Sequence, residues 1–434
     1  MNIPASKSKR IVIIGGGFAG IELAKKLRNK DVQIVLLDKH NFHNFQPLMY
    51  QVATGGLEAG SIAYPIRKII HHYDDCFFRL ANVREIDTKN QKVIADIGDL
   101  HYDYLVIATG SKTNFFGDKE LERNCMGMKT ISQSLNIRSL ILENFEQAVL
   151  TKDTCDRNCL MNFCLVGGGP TGVELAGALA EMKKGIFQKD YPDLDISQMQ
   201  INLIQSGDRI LNTMSEKASV NAEKYLTELG VNVLKNVRVT GYDGKTLQTN
   251  SDLSIDTATV IWTAGVQGAM IPGLDAESLV LRAMRIRVNE VGKVHGFENI
   301  FAIGDIAMME SEEFPMGHPM MAQPALQQGK HLGENFSRML EGNPMVPFQY
   351  KDKGSMAVIG RNRAVVDMPK AHFSGFFAWF LWIFVHLFSL VGFKNKMVVL
   401  LNWLYNYIRF DREDRLIIRP YKKKRFQAFT TDET

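Results

Sequence analysis

Two glycine-rich turns constrain this 434-residue chain more than any other feature. Gly15-Gly16-Gly17-Phe18-Ala19-Gly20 follows the apolar run Ile11–Ile14, and Gly167-Gly168-Gly169-Pro170-Thr171-Gly172 follows Phe163–Val166. A short, continuous apolar run closed by glycine suits a parallel strand covered on both faces, and each turn leads into a stretch of helical composition. G-x-G-x-x-G in that setting is the turn of a dinucleotide-binding unit. Its first glycine permits the tight turn, its second lets backbone approach a pyrophosphate, and its third lets helix pack on strand. The helix N-terminus then faces the phosphates. One such turn is a weak signal. Two of them, 152 residues apart, imply two dinucleotides and electron transfer between them.

The next strand of each unit supports this. Val32–Leu37 ends at Asp38, placed to accept hydrogen bonds from an adenosine ribose. Ile201–Ile204 ends instead at Gln205, where an NAD-selective site presents a carboxylate. A neutral side chain there removes repulsion against a 2′-phosphate, so NADPH is an expected alternative to NADH. Arg209, four residues on, could face that ribose or solvent. Further echoes are Leu105–Ala108 before Thr109-Gly110, Val260–Thr263 before Ala264-Gly265, and Phe301–Ile303 before Gly304-Asp305. The expected fold is α/β, with two Rossmann-like dinucleotide-binding units. The first covers about 8–115 and returns at about 295–345; the second covers about 160–285; a region of different character fills 346–434.

Charge and cysteine content narrow the function. The net charge of +4 makes a dedicated nucleic-acid binder an unsuitable reading. The positive charge is local: residues 394–425 hold ten basic and three acidic side chains. Five cysteines, unevenly spaced between Cys76 and Cys164, form no disulfide framework and no metal-finger pattern, so a reducing compartment and no metal are expected. Met1–Arg10 is polar and basic, without the apolar core of a secretion signal. Residues 39–62 contain no cysteine, which excludes a thiol relay next to the first nucleotide.

The C-terminal region carries the lipid signals. Phe373–Phe393 is a 21-residue apolar stretch without formal charge, long enough to be a spanning candidate. In Met397–Phe410 the spacing of Asn395, Asn402, Asn406 and Arg409 predicts a polar stripe opposite Leu400, Leu401, Trp403, Leu404 and Ile408. An amphipathic helix lying in the lipid interface fits that pattern. The tryptophans suit the headgroup boundary, and Lys422-Lys423-Lys424-Arg425 suits anionic lipid on the cytoplasmic side. A core or dimer-interface helix over Phe373–Phe393 is the bland alternative.

From about residue 10 to 418 the chain resembles the type II NADH:quinone oxidoreductases, single-chain flavoproteins with two dinucleotide-binding domains. Asn41–Ala53 (NFHNFQPLMYQVA), Trp262–Val266 (WTAGV), Ala302–Asp305 (AIGD), Ala322–Gly329 (AQPALQQG) and Ser355–Arg361 (SMAVIGR) carry the resemblance. It implies an FAD domain interrupted by an NAD(P)H domain, followed by a C-terminal membrane-anchoring helical segment. It assigns Gly15, Gly17, Gly20, Asp38, Gln46, Thr109, Gly110 and Asp305 to FAD, with Asp305 at the ribityl chain. Gly169, Gly172 and Gly265 go to the nicotinamide nucleotide. Glu174 falls at a glutamate near nicotinamide and flavin, and Gln323 and Gln327, on one helical face, at the quinone pocket. Tyr50 and Gln51 would shape that cavity. The implied activity is hydride transfer from NADH to FAD and two-electron reduction of ubiquinone or menaquinone, without ion pumping. The implied location is the cytoplasmic side of the cell inner membrane, attached peripherally (monotopically), as a homodimer. A soluble NAD(P)H-dependent flavin reductase serving a protein acceptor, and a non-catalytic redox sensor, are the alternatives.

Overall fold

The computed structural model describes residues 1–409, 411–412 and 414–418. Lys422–Arg425, expected at lipid, lie outside the described residues.

Two five-stranded parallel sheets repeat one arrangement. In the first, the strands run Ile300–Ala302, Tyr104–Ile107, Lys9–Ile14, Val32–Asp38 and Cys76–Leu80. In the second they run Met126–Gly127, Thr259–Trp262, Asn162–Val166, Gln200–Ile204 and Asn232–Leu234. Each glycine-turn strand sits at the centre of its sheet, with Ile11 opposite both Ile34 and Tyr104, and Phe163 opposite both Ile201 and Thr259. The unbroken apolar runs follow from this. Ile11 and Ile13 enter one core while Val12 and Ile14 enter another on the opposite face, and all four are buried. The strands of the second sheet run from Met126 to Trp262. Val266–Gly268 already pairs back onto Ser111–Thr113.

The C-terminal region differs from the helical segment the sequence suggests. It opens with an antiparallel three-stranded sheet, Ser355–Gly360, Arg363–Met368 and Ala371–Ser374. The apolar stretch 373–393 is not one helix. Its first residues complete that sheet, Gly375 turns the chain at φ +75°, and an aromatic helix covers only Phe376–Ser389. Fourteen residues reach about 21 Å, short of a hydrocarbon core of about 30 Å. No helix among the described residues is long and apolar enough to cross a membrane, which corrects the spanning alternative. A terminal helix, Phe393–Arg409, follows after a glycine turn.

This region is clamped to the second unit by one close approach. The second glycine turn starts the helix Pro170–Met182, and a Cβ at Gly177 would lie 1.8 Å from the carbonyl oxygen of Ile359. Only a hydrogen at that position lets the Ser355–Gly360 strand lie against the helix. Gly177→Ala is therefore expected to lower unfolding stability by about 1–3 kcal/mol through overpacking, read by denaturant titration.

Candidate active site

The two glycine turns have the same geometry. Gly15 and Gly167 adopt φ of +114° and +113°, and a Cβ at Gly20 or Gly172 would fall 1.9 or 2.0 Å from the carbonyl of Gly15 or Gly167. Gly172, like Gly20, thus lets its helix pack closely on its strand. Gly17 and Gly169, which open the helices, have free space where a Cβ would stand, as a backbone approached by pyrophosphate requires. Asp38 Oδ2 accepts the Gly16 N–H at 2.6 Å, and Gln205 Oε1 accepts the Gly168 N–H at 2.9 Å. Gln205 therefore stands in the second unit where Asp38 stands in the first. Arg209 does not face it: its guanidinium donates to the carbonyls of Asn212 and Met214.

The remaining first-unit residues converge around the same strand ends. Thr109 Oγ1 is buried without a hydrogen-bond partner, and Gly110 has open space at φ +69°. Asp305 accepts from Ser111 Oγ at 2.5 Å. The Asp305 turn is held by Gln328, whose Oε1 accepts the Gly304 N–H at 2.7 Å. Gln46 Oε1 accepts from Lys129 Nζ at 3.2 Å, and burial lowers the Lys129 pKa while Asp305 opposes that shift. An orphaned hydroxyl, two open glycines, a ribose acid and a half-buried ammonium fit FAD. Lys129 escapes sequence reasoning because it lies in a linker without periodicity, between the second unit's short edge strand and the Ile131–Leu150 helix.

Gln323 and Gln327 share a face at the start of the helix Ala322–Leu340, as their spacing predicts. In this structure both amides bond the backbone of 351–354: Gln323 Nε2 to the Gly354 carbonyl, and Gln327 Nε2 to the Lys351 carbonyl, each at 2.9 Å. Neither lines the cavity described next.

Glu174 sits in the first turns of the second-loop helix, at the inner side of a cavity with about 150 Å³ of water-accessible space. Tyr50 and Gln51 wall it as expected, together with Trp379, Trp382 and Trp403. The tryptophans thus differ from the sequence expectation of a headgroup belt. Trp382 is 2% exposed, and Trp403 Nε1 donates to Gln51 Oε1 at 2.7 Å, which in turn leaves Gln51 Nε2 to donate to the Tyr50 hydroxyl at 2.8 Å. Burial raises the Glu174 pKa to about 8, partly offset by the Val358 N–H and the Trp382 indole N–H. Burial therefore favours the protonated carboxyl, a form that can donate a proton inside an apolar cavity.

Seven residues along the same helix, Glu181 reaches the cavity's other side and pairs with Arg412 at 2.9 Å. Arg412 belongs to a strap, Asp411–Ile418, read from sequence as part of a basic tail. Several of its charges instead point inward: Asp414 pairs with the buried Arg138, and Arg415 pairs with Asp190 at 2.8 Å. The sequence offered no signal for these partners, which lie more than 200 residues upstream.

Paired nucleotide turns, a buried acid on the helix of the second and an aromatic cavity beside it define a two-dinucleotide redox flavoprotein. Residues 9–329 match the pyridine nucleotide-disulphide oxidoreductase family, and residues 353–412 match the NDH2 C-terminal domain. A type II NADH:quinone oxidoreductase of Mycobacterium tuberculosis is 36% identical over 93% of this chain and 89% of its own length. One from Haemophilus influenzae is 29% identical over 92% and 98%. The chain belongs to the type II NADH:quinone oxidoreductases. The structure of NDH2 from Plasmodium falciparum in complex with NADH superposes with a TM-score of 0.85 at 21% identity, over 95% of this chain and all of that one. A sulfide:quinone oxidoreductase from Aquifex aeolicus shares the fold more loosely, at a TM-score of 0.69 and 18% identity, over 90% and 92% of the two chains.

The Glu174 shift sets a pH test. Between pH 4.5 and about 8 the folded state keeps a proton that the unfolded state has lost, so this group's contribution makes stability fall as pH rises through that window. Glu174→Gln removes the effect. The variant is expected to gain stability relative to the parent from pH 5 to pH 8 and to hold that gain above it, measured by denaturant unfolding across the range.

Proposed function

We propose that this chain oxidises NADH, accepting NADPH as an alternative, and passes two electrons through FAD to a membrane quinone of the ubiquinone or menaquinone type. The observation that carries this reading is the buried Glu174. It stands on the nucleotide-binding helix and lines a cavity whose outer wall is made by two helices with an exposed apolar face. Bound FAD supplies the two-electron relay between nucleotide and quinone. The chain's own residues bind and orient. Gly17 and Asp38 hold the flavin nucleotide, Gly169, Gly265 and Gln205 hold NAD(P)H, and Glu174 keeps a proton ready for the quinone oxygen. The tryptophans exclude water from the cavity.

The terminal helix supports lipid attachment through an inverted amphipathicity. Its asparagines turn toward the protein: Asn395 Nδ2 donates to the Ala63 carbonyl and Asn406 Nδ2 to the Gly56 carbonyl, each at 3.1 Å. Leu400, Leu401, Leu404 and Ile408 face outward, Ile408 at 69% exposure. The aromatic helix adds exposed Phe376, Phe377, Phe380, Phe384 and Phe388. An apolar face of this extent suits a bilayer surface, and the basic residues of 394–425 suit its cytoplasmic side. A homodimer would form through the C-terminal region beside that face. A soluble reductase would have no use for it.

Anaerobic titration of the FAD-loaded protein with NADH is expected to bleach the visible flavin band, and a short-chain quinone to restore it. Bleaching without restoration favours a protein acceptor, and no bleaching favours a sensor. Gln205→Glu is expected to cut kcat/KM for NADPH roughly tenfold more than for NADH, because a carboxylate would face the 2′-phosphate. Equal losses in steady-state assays would remove Gln205 from the ribose.

A further inference from the structure

We propose that a second cavity, beside the turn joining the two C-terminal helices, binds the phosphate of an anionic phospholipid. The inference rests on the membrane-attached reading above and adds a headgroup site to it.

The cavity, about 620 Å³, lies between the antiparallel strand pair Phe42–Asn44/Ala63–Pro65 and the start of the terminal helix, and Asn41, Tyr64, Lys68, Phe393, Lys394 and Asn395 line it. Its walls are fixed. Gly392, at φ +87°, packs so closely that a Cβ would fall 2.2 Å from Tyr64 Cε2, and Asn395 bonds the Ala63 carbonyl. The strand pair and the helix start therefore hold one another in place.

The two lysines give the cavity its sign. The Lys68 ammonium stands 5.6 Å from the centroid of the Tyr64 ring, and no carboxylate lines the cavity among the described residues. Lys394 sits in the first turn of a 17-residue helix, where the helix dipole disfavours a cation. Its placement lowers helix stability unless an anion stands next to it. The neighbouring Lys396 is already occupied, capping the aromatic helix by donating to the Phe388 carbonyl at 2.8 Å. A phosphate between Lys68 and Lys394 would neutralise both and meet the unpaired N–H groups of the helix start.

The rim identifies the source of that phosphate. Phe393, which lines the cavity, is 80% exposed, and Phe388 and Met397 extend from it into the apolar face. A ligand seated here carries its charge in the cavity and continues along exposed aromatic surface. A phospholipid has that shape; free phosphate does not.

The test uses the full-length, FAD-loaded protein and vesicles of phosphatidylcholine, alone or mixed with phosphatidylglycerol. Lys68→Ala/Lys394→Ala is compared with Lys89→Ala/Lys152→Ala, which removes the same charge from exposed sites on other elements. In co-sedimentation the cavity variant is expected to bind phosphatidylglycerol vesicles roughly tenfold more weakly than the parent, with phosphatidylcholine binding unchanged and the control variant within about twofold. Equal losses in the two double variants would overturn the site in favour of diffuse attraction. Inorganic phosphate that binds the parent and abolishes its preference for phosphatidylglycerol would overturn the lipid assignment in favour of a soluble anion. A parent that binds phosphatidylcholine but shows no preference for phosphatidylglycerol overturns this proposal alone. A parent that binds neither vesicle overturns the membrane reading and the headgroup site with it.

Discussion

The helix Pro170–Met182 lies against the strand Ser355–Gly360 at a separation that no side chain larger than glycine at 177 would permit. Most of the chemistry depends on this contact. The same helix begins at the nucleotide turn, carries Glu174 in its first turns and presents Glu181 two turns later. Its partner strand supplies Val358 and Ile359 to the cavity wall. The nucleotide turn and the aromatic cavity therefore share one rigid element. A helix displaced by even a methyl group would move the acid, the loop and the cavity together.

Electrostatics and burial act in opposite senses at the cavity's two sides. Glu174, walled by tryptophan and tyrosine, is kept neutral by desolvation. Glu181, on the same face of the helix, stays at the surface side and pairs with an arginine of the strap. A proton can be stored at the inner carboxyl because no counter-ion among the described residues is supplied there, whereas the outer one is committed to the strap through Arg412. The apolar outer face follows similar logic: with Asn395 and Asn406 bonded to backbone carbonyls of the protein, Leu400, Leu401, Leu404 and Ile408 are left facing outward.

Some of this was readable from residue order. The paired glycine turns, their central strands, Asp38 and the neutral Gln205 are local features, and backbone sterics translate them directly into geometry. Gly177 is equally local as a glycine inside a helical stretch, but the strand that approaches it is not. The antiparallel sheet of the C-terminal region was masked by its apolar continuation into the aromatic helix, since hydropathy alone does not distinguish strand from helix in a short run. Lys129 and the strap were not readable, because neither a lone lysine nor alternating charges name a distant partner.

Composition and spacing alone therefore dictated the two nucleotide folds and an amphipathic terminal helix, all set by interactions within some forty residues, while the acid on the second-loop helix was implied by the family resemblance. Tertiary packing decided the rest. It turned the polar stripe of the terminal helix inward and drew three tryptophans from an expected lipid belt into the cavity. It also seated Gln323 and Gln327 on the linker 351–354. The cause is common to all three: which way an amphipathic face or a long side chain points depends on what is docked against it. That neighbour comes from a part of the chain whose distance no local pattern encodes.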